Sequence, residues 1–254
     1  MQKPKYILLC LVTLLFTTNV VATESPPKIE PGSLHKAAAK GDIVAISDLL
    51  KRGADIETKN KNGWTALYLA IARGKTKTAE LLLAKGANHK AVSYSKGTIL
   101  HVASLMGDIK IVRILLAKGV VVDARAGPGG IGTGFTSLHF AAMKGKTEVV
   151  KMLLNKGANV SAVSQYGWTT LHFAVQHGNI ETIKLLLNKG ANINARDKEG
   201  GSVLHIAARH GNSEVVKFLL KRKADSKTKD NKGNLALDYA KKKGHHKIVG
   251  LLIK

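Results

Sequence analysis

Acidic residues are scarce. Seventeen Asp and Glu stand against 40 Lys and Arg in 254 residues, a formal charge of +23. That imbalance points to an anionic partner, whether an acidic protein surface, an anionic glycan or lipid headgroup, or a nucleic acid. Cysteine is nearly absent as well: the one thiol, Cys10, lies inside an N-terminal apolar run. Neither disulfides nor cysteine metal sites can therefore stabilise the remainder of the chain. Catalytic signatures are also missing, with no H-E-x-x-H, no G-x-S-x-G and no carboxylate pair spaced for acid-base work. These absences predict a protein that is not an enzyme and has no metal, no cofactor and no small-molecule substrate. What is abundant is apolar material, 44% of the residues, enough to bury a substantial core.

The N-terminus reads MQKPKYILLCLVTLLFTTNVVATE. Lys3 and Lys5 precede an apolar run from Tyr6 to Phe16, and Val20-Val21-Ala22 offers a small-residue cleavage site, the anatomy of a secretory signal peptide over residues 1–22. The expectation is export or secretion, with a membrane anchor through residues 6–22 as the alternative if cleavage fails. Residues 23–32, carrying Ser25-Pro26-Pro27 and Glu30-Pro31-Gly32, read as a breaker-rich linker, so regular structure should begin near Ser33.

From there the chain repeats. A signature leucine recurs at Leu34, Leu67, Leu100, Leu138, Leu171, Leu204 and Leu237, in steps of 33, 33, 38, 33, 33 and 33 residues. A glycine follows each at Gly41, Gly74, Gly107, Gly145, Gly178, Gly211 and Gly244, and apolar pairs such as Leu82-Leu83 and Leu186-Leu187 keep the register. Seven units result, approximately 33–59, 60–92, 93–125, 126–163, 164–196, 197–229 and 230–254. A fixed period of this size means a stack in which neighbours bury each other's apolar faces.

One full unit, GWTTLHFAVQHGNIETIKLLLNKGANINA from Gly167 to Ala195, resembles the ankyrin repeat, whose G-x-T-P-L-H-x-A-A and L-L-x-x-G-A-D-V-N-A segments it follows. The resemblance implies an all-α repeat solenoid over residues 33–254: stacked helix-turn-helix units joined by β-hairpin fingers. Thr65, Thr98, Thr136, Thr169 and Ser202 stand where a hydroxyl can cap the inner helix, and His101, His139, His172 and His205 stand three residues on, where a polar side chain can answer it. A capping role, rather than metal binding, is thus expected of the histidines. Glycines such as Gly86 and Gly157 suit left-handed helix ends. Two departures, Val120-Val121 after Gly119 and Lys223 in place of glycine, predict that the outer helices of repeats three and six close differently. Arg52, Lys85, Lys118, Lys156, Lys189 and Arg222 fall in last turns, where cations complement the helix macrodipole.

The step of 38 contains AGPGGIGTG at residues 126–134, within which Gly127 to Gly132 satisfies G-x-G-x-x-G. A phosphate-cradling loop needs a buried parallel strand before it and a helix N-terminus after it, and the flanking repeats supply no parallel sheet. The stretch is read instead as five extra residues that elongate one finger into a mobile one.

Function should lie in the columns that vary. The residue before each turn glycine reads Lys40, Arg73, Met106, Lys144, His177, His210, Lys243; the family resemblance implies that this column lines the concave groove, as a basic stripe. Three residues before each signature leucine stand Trp64, Gly97, Phe135, Trp168, Gly201 and Asn234, positions expected at exposed finger tips. Aromatics there are the residue type most enriched in interface hot spots. The combined expectation is a secreted, non-enzymatic protein that binds a protein with an acidic surface. Trp64, Phe135 and Trp168 would anchor the partner; Arg73, Met106, Lys144, His177 and His210 would supply groove contacts. The alternative is a polyanion binder using the same face, for which export argues against nucleic acid and leaves anionic glycans or lipid headgroups.

Overall fold

The computed structural model describes residues 29–94, 97–128 and 132–253. The expected signal peptide and most of the linker lie outside these residues, as do Gly129-Gly130-Ile131 of the glycine-rich stretch. Among the described residues the chain forms seven helix pairs. The inner helices are α1 (Ser33–Lys40), α3 (Ala66–Ala72), α5 (Ile99–Met106), α7 (Ser137–Met143), α9 (Thr170–His177), α11 (Val203–Arg209) and α13 (Ala236–Lys242). Each is followed by an outer helix: α2 (Ile43–Lys51), α4 (Thr76–Ala84), α6 (Ile109–Ala117), α8 (Thr147–Asn155), α10 (Ile180–Asn188), α12 (Ser213–Lys221) and α14 (His246–Leu252). Every inner helix packs on the next inner helix and on its own outer helix, so one continuous core runs the length of the stack. This is the all-α solenoid that the repeat period implies.

Helices of seven to nine residues are too short to be stable alone, and their ends decide whether they form. The caps read from the sequence are present. Thr65 Oγ1 accepts from the Tyr68 amide, and Thr98, Thr136, Thr169 and Ser202 form reciprocal capping boxes with His101, His139, His172 and His205. Because each of these imidazoles accepts the cap amide at Nδ1, the proton resides on Nε2. In three of them Nε2 donates to a carbonyl of the following finger: Ala124 for His101 (2.8 Å), Ala162 for His139 (3.0 Å) and Asn234 for His205 (3.1 Å). His35 reaches the Trp64 carbonyl in the same way, at 2.9 Å. The histidine column is thus a set of rivets between layers.

Three expectations are corrected. The fingers do not form strand ladders: among the described residues three of them carry a single antiparallel bridge, Val92 with Thr98, Val163 with Thr169 and Arg196 with Ser202, and the others are turns without one. The tip turn consumes the residues a ladder would need. The outer helix of repeat six does not close differently, since Lys223 adopts the left-handed φ of +62° and Ala224 still donates to the Leu219 carbonyl at 3.0 Å. Repeat three likewise keeps the common closure, with Val120 donating to the Leu115 carbonyl at 3.4 Å.

Candidate functional site

The long finger brings its ends together. Ala126 donates to the Phe135 carbonyl and Gly134 donates back to Ala126, both at 2.8 Å. Gly132 (φ +89°) and Gly134 (φ +76°) take backbone conformations that L side chains avoid, and a side chain at Gly132 would collide with the rings of Phe135 and Phe140. The returning chain drives Phe135 inward. It is 6% exposed, with its ring 4.8 Å from Phe173 and 5.3 Å from Phe140. Phe135 is therefore a core residue and not an exposed anchor, because the five-residue insertion turns it under the finger rather than out along it.

Trp64 and Trp168 are not at finger tips either. Each directly precedes an inner-helix cap, so it leaves the finger at its base and lies half-buried against the inner helices. Trp64 stacks on Tyr68 with centroids 5.3 Å apart, and Trp168 stacks on His172 while its indole N–H donates to Asp197 at 3.1 Å. The tips carry Tyr94 and Tyr166 instead, 68% and 59% exposed.

These placements define two grooves on the inner-helix face. The first, of about 500 Å³, crosses repeats two to four. Trp64 and Tyr68 form one wall, Val102 and Leu105 the floor, Phe140 and Met143 the other wall, with Met106 and Lys144 at the rim. Met106 is 41% exposed, and Arg73, also exposed, follows the lining residue Ala72. Burial pushes the pKa of the Tyr68 hydroxyl above its ordinary value, against a hydrogen bond with Ser93 that lowers it, so Tyr68 is a neutral hydroxyl at physiological pH. The second groove, of about 440 Å³, lies between Trp168, Phe173 and Arg209, with Phe135 beneath and Asp197 and Glu199 on its finger wall. It is smaller and carries both signs of charge.

The structure therefore gathers Trp64, Met106 and Lys144 into one groove with Arg73 beside it, and sets Trp168 in another. It does not bring His177 or His210 into either groove. Both are exposed; His177 sits against Gly145 of the preceding repeat, and the His210 ring bonds the Ile206 carbonyl of its own helix at 3.0 Å. Much of the groove lining comes from Tyr68, Val102 and Phe140, inner-helix positions that look in sequence like any other apolar core position. A half-filled apolar groove of this kind seats a protruding apolar side chain, and an adjacent cation orients a carboxylate beside it.

A family model for ankyrin repeats in three copies matches residues 34–126 and 124–197, and a second, for ankyrin repeats in many copies, matches residues 175–220. No curated protein matches the chain.

Proposed function

Because the chain belongs to the ankyrin-repeat family, whose repeats mediate protein-protein interaction, we propose that it is a non-enzymatic, exported binding protein. Its principal contact is the groove across repeats two to four, and its partner is a protein that presents an aliphatic or aromatic side chain flanked by acidic residues. The observation that carries this reading is the first groove itself: an open apolar trough whose wall is Trp64 stacked on Tyr68, with exposed Met106 at its rim and the cations Arg73 and Lys144 alongside. Methionine adapts its shape to an entering side chain. The inner helices that hold the groove are fixed by caps and by the continuous core, so docking orders little of the protein and a few contacts suffice for affinity. Export rests on the charge-then-apolar pattern of residues 1–22, and N-terminal sequencing of the protein recovered outside its cell of origin tests it: a start at Thr23 supports export, a start at Met1 supports the membrane anchor.

A polyanion bound on this same face fits poorly. The floor is apolar, and the second groove contributes Asp197 and Glu199. Selection of linear peptides on the full chain, with a Trp64→Ala/Met106→Ala variant as the counter-target, tests the groove. The expected result is enrichment of peptides with one large apolar residue beside Asp or Glu, retained by the native chain and not by the variant. Peptides that bind both chains alike would remove the groove as the site.

A further inference from the structure

The outer helices carry a second feature that the groove does not use. In α6, α8, α10 and α12 the third, fourth and seventh positions are buried, for example Val149, Val150 and Leu153 in α8, with Leu116 at the eighth of α6 added. The fifth position faces away from the core, and it reads Arg113, Lys151, Lys184, Lys217. The residue that ends each helix reads Lys118, Lys156, Lys189, Arg222. All eight are exposed, and among the described residues none of the eight stands in an ion pair. With layers about 8–10 Å apart, the fifth-position residues form a cationic rail along the outer face, and the helix-end residues form a second rail about 7.5 Å further along the helix axis and rotated toward its side.

The helix-end row has a structural explanation, since a cation in a last turn complements the macrodipole. The fifth-position row has no such explanation apart from Lys184, which lies over the Phe218 ring at 5.9 Å. The row lies outside the last turn, where the dipole has little influence. Glu148, Glu181 and Glu214 stand three residues before Lys151, Lys184 and Lys217, yet no pair within 4 Å forms. In α6 the corresponding residue is Lys110, a like charge, and α6 contains no acid at all. Like charges one layer apart lie within about a Debye length and repel across the stack. A row that destabilises the fold slightly and makes no ion pair among the described residues is accounted for by a ligand.

We infer that the outer face of α6, α8, α10 and α12 binds a linear anionic polysaccharide, whose sulfates or carboxylates lie along the fifth-position rail and are flanked by the helix-end rail. Charge complementarity selects a polyanion, and the rest of the surface selects its kind. Single-stranded nucleic acid needs aromatic platforms on which bases stack. The one aromatic in these four helices, Phe218, is half-buried, with Lys184 and Arg222 over its ring at 5.9 and 5.4 Å. The exposed tyrosines, Tyr94 and Tyr166, belong to the fingers. A membrane contact draws on a broad apolar or aromatic set beside the cations, and among the described residues the exposed large apolar side chains of these four helices come down to Ile109 at the start of α6. A flexible polysaccharide needs only regularly spaced cations and can follow successive layers.

The test uses the full chain and heparin as the probe, with affinity measured from about 0.05 to 0.5 M salt, where each bound cation that is neutralised by mutation lowers the slope of log affinity against log salt by somewhat under one unit. The rail variant is Arg113→Gln/Lys151→Gln/Lys184→Gln/Lys217→Gln. The matched control removes four exposed cations elsewhere, Lys36→Gln/Lys59→Gln/Lys61→Gln/Lys232→Gln. The expected result is a loss of roughly tenfold or more at about 0.15 M salt and a slope lower by about 3 for the rail variant only, with thermal stability equal to or above native because repulsion has been relieved. Equal losses in both variants would reduce the effect to net charge and overturn the inference. So would tighter rail-dependent binding of a single-stranded oligonucleotide, or of vesicles containing about 30% phosphatidylserine, than of heparin. The groove residues are untouched in both variants, so failure here leaves the peptide-binding reading standing, and the converse also holds.

Discussion

Lys223 occupies a position where glycine stands after the outer helices of repeats one to five, at Gly53, Gly86, Gly119, Gly157 and Gly190, all with positive φ. The backbone there is demanded by the closing bond from Ala224 to Leu219 (3.0 Å), whose counterparts run from Ala87 to Leu82 (2.9 Å) and from Ala191 to Leu186 (3.0 Å). A lysine meets that demand with its Cβ crowded against the following carbonyl, which costs about 1–2 kcal/mol relative to glycine before the greater chain entropy of glycine is subtracted. Lys223→Gly is therefore expected to stabilise the protein by about 1 kcal/mol, read as a higher urea midpoint. A lower midpoint would mean that the lysine stem makes a contact worth more than the backbone relief. The same glycine logic explains Phe135. Its column looked like a row of tips, but Gly132 and Gly134 reverse the chain just before it and place the ring between Phe140 and Phe173.

At the scale of the element, the inner helices were legible because two chemical signals coincide in each: a hydroxyl cap and a polar answer three residues on. The outer helices carry their own caps, which the repeat columns did not single out. Asp42, Asp108, Asn179 and Asn212 follow the turn glycines and accept from the amides of Ala45, Ile111, Thr182 and Val215 at 2.9–3.2 Å. Lys75, Lys146 and His245 hold that position elsewhere and make no side-chain cap, so the signal was real but intermittent. Asp108 adds a bond across layers, accepting from the Thr76 hydroxyl at 2.6 Å. Asp108→Ala should destabilise by about 1–2 kcal/mol, while Asp108→Asn, which keeps the cap oxygen, should lose less; equal losses would show that charge and not capping is responsible. The groove was only half legible. Met106 could be found because it interrupts a basic column to which Lys144 belongs, whereas Tyr68, Val102 and Phe140 are inner-helix positions whose exposure to a trough is set by the space between neighbouring layers. Sequence period tells which residues share a row but not how much space is left between rows.

Across the whole molecule, buried histidines link four of the six pairs of neighbouring layers, through His35, His101, His139 and His205, and the buried imidazoles make the stack sensitive to acid. Burial lowers the imidazole pKa of His101, His139 and His172. For His139 burial outweighs the opposing bond to the Ala162 carbonyl, and the nearby Arg125 and His101 add to it, bringing the value to about 4. A histidine whose folded value lies below its unfolded value near 6.5 contributes stability that is fully present above about pH 6.5 and is lost as pH falls toward 4. Protonation removes the Nδ1 acceptor from the cap and the neutral ring from an aromatic cluster in the same step. The Asp230 carboxyl behaves differently: burial would raise it, but bonds from the Tyr239 hydroxyl, Asn234 and the Lys232 amide hold it at about 2. Its contribution is therefore fully present above the unfolded carboxylate value near 4 and is lost as pH falls from there toward about 2, so the two effects separate in pH. His139 alone should make the protein about 2 kcal/mol less stable at about pH 5 than at pH 7.5, with His101 and His172 adding in the same direction. Urea unfolding of His139→Gln isolates the effect, since glutamine can answer the cap and does not titrate. The variant should be less stable than native at pH 7.5 yet lose distinctly less between pH 7.5 and 5. An unchanged loss would assign the acid sensitivity to the other buried imidazoles.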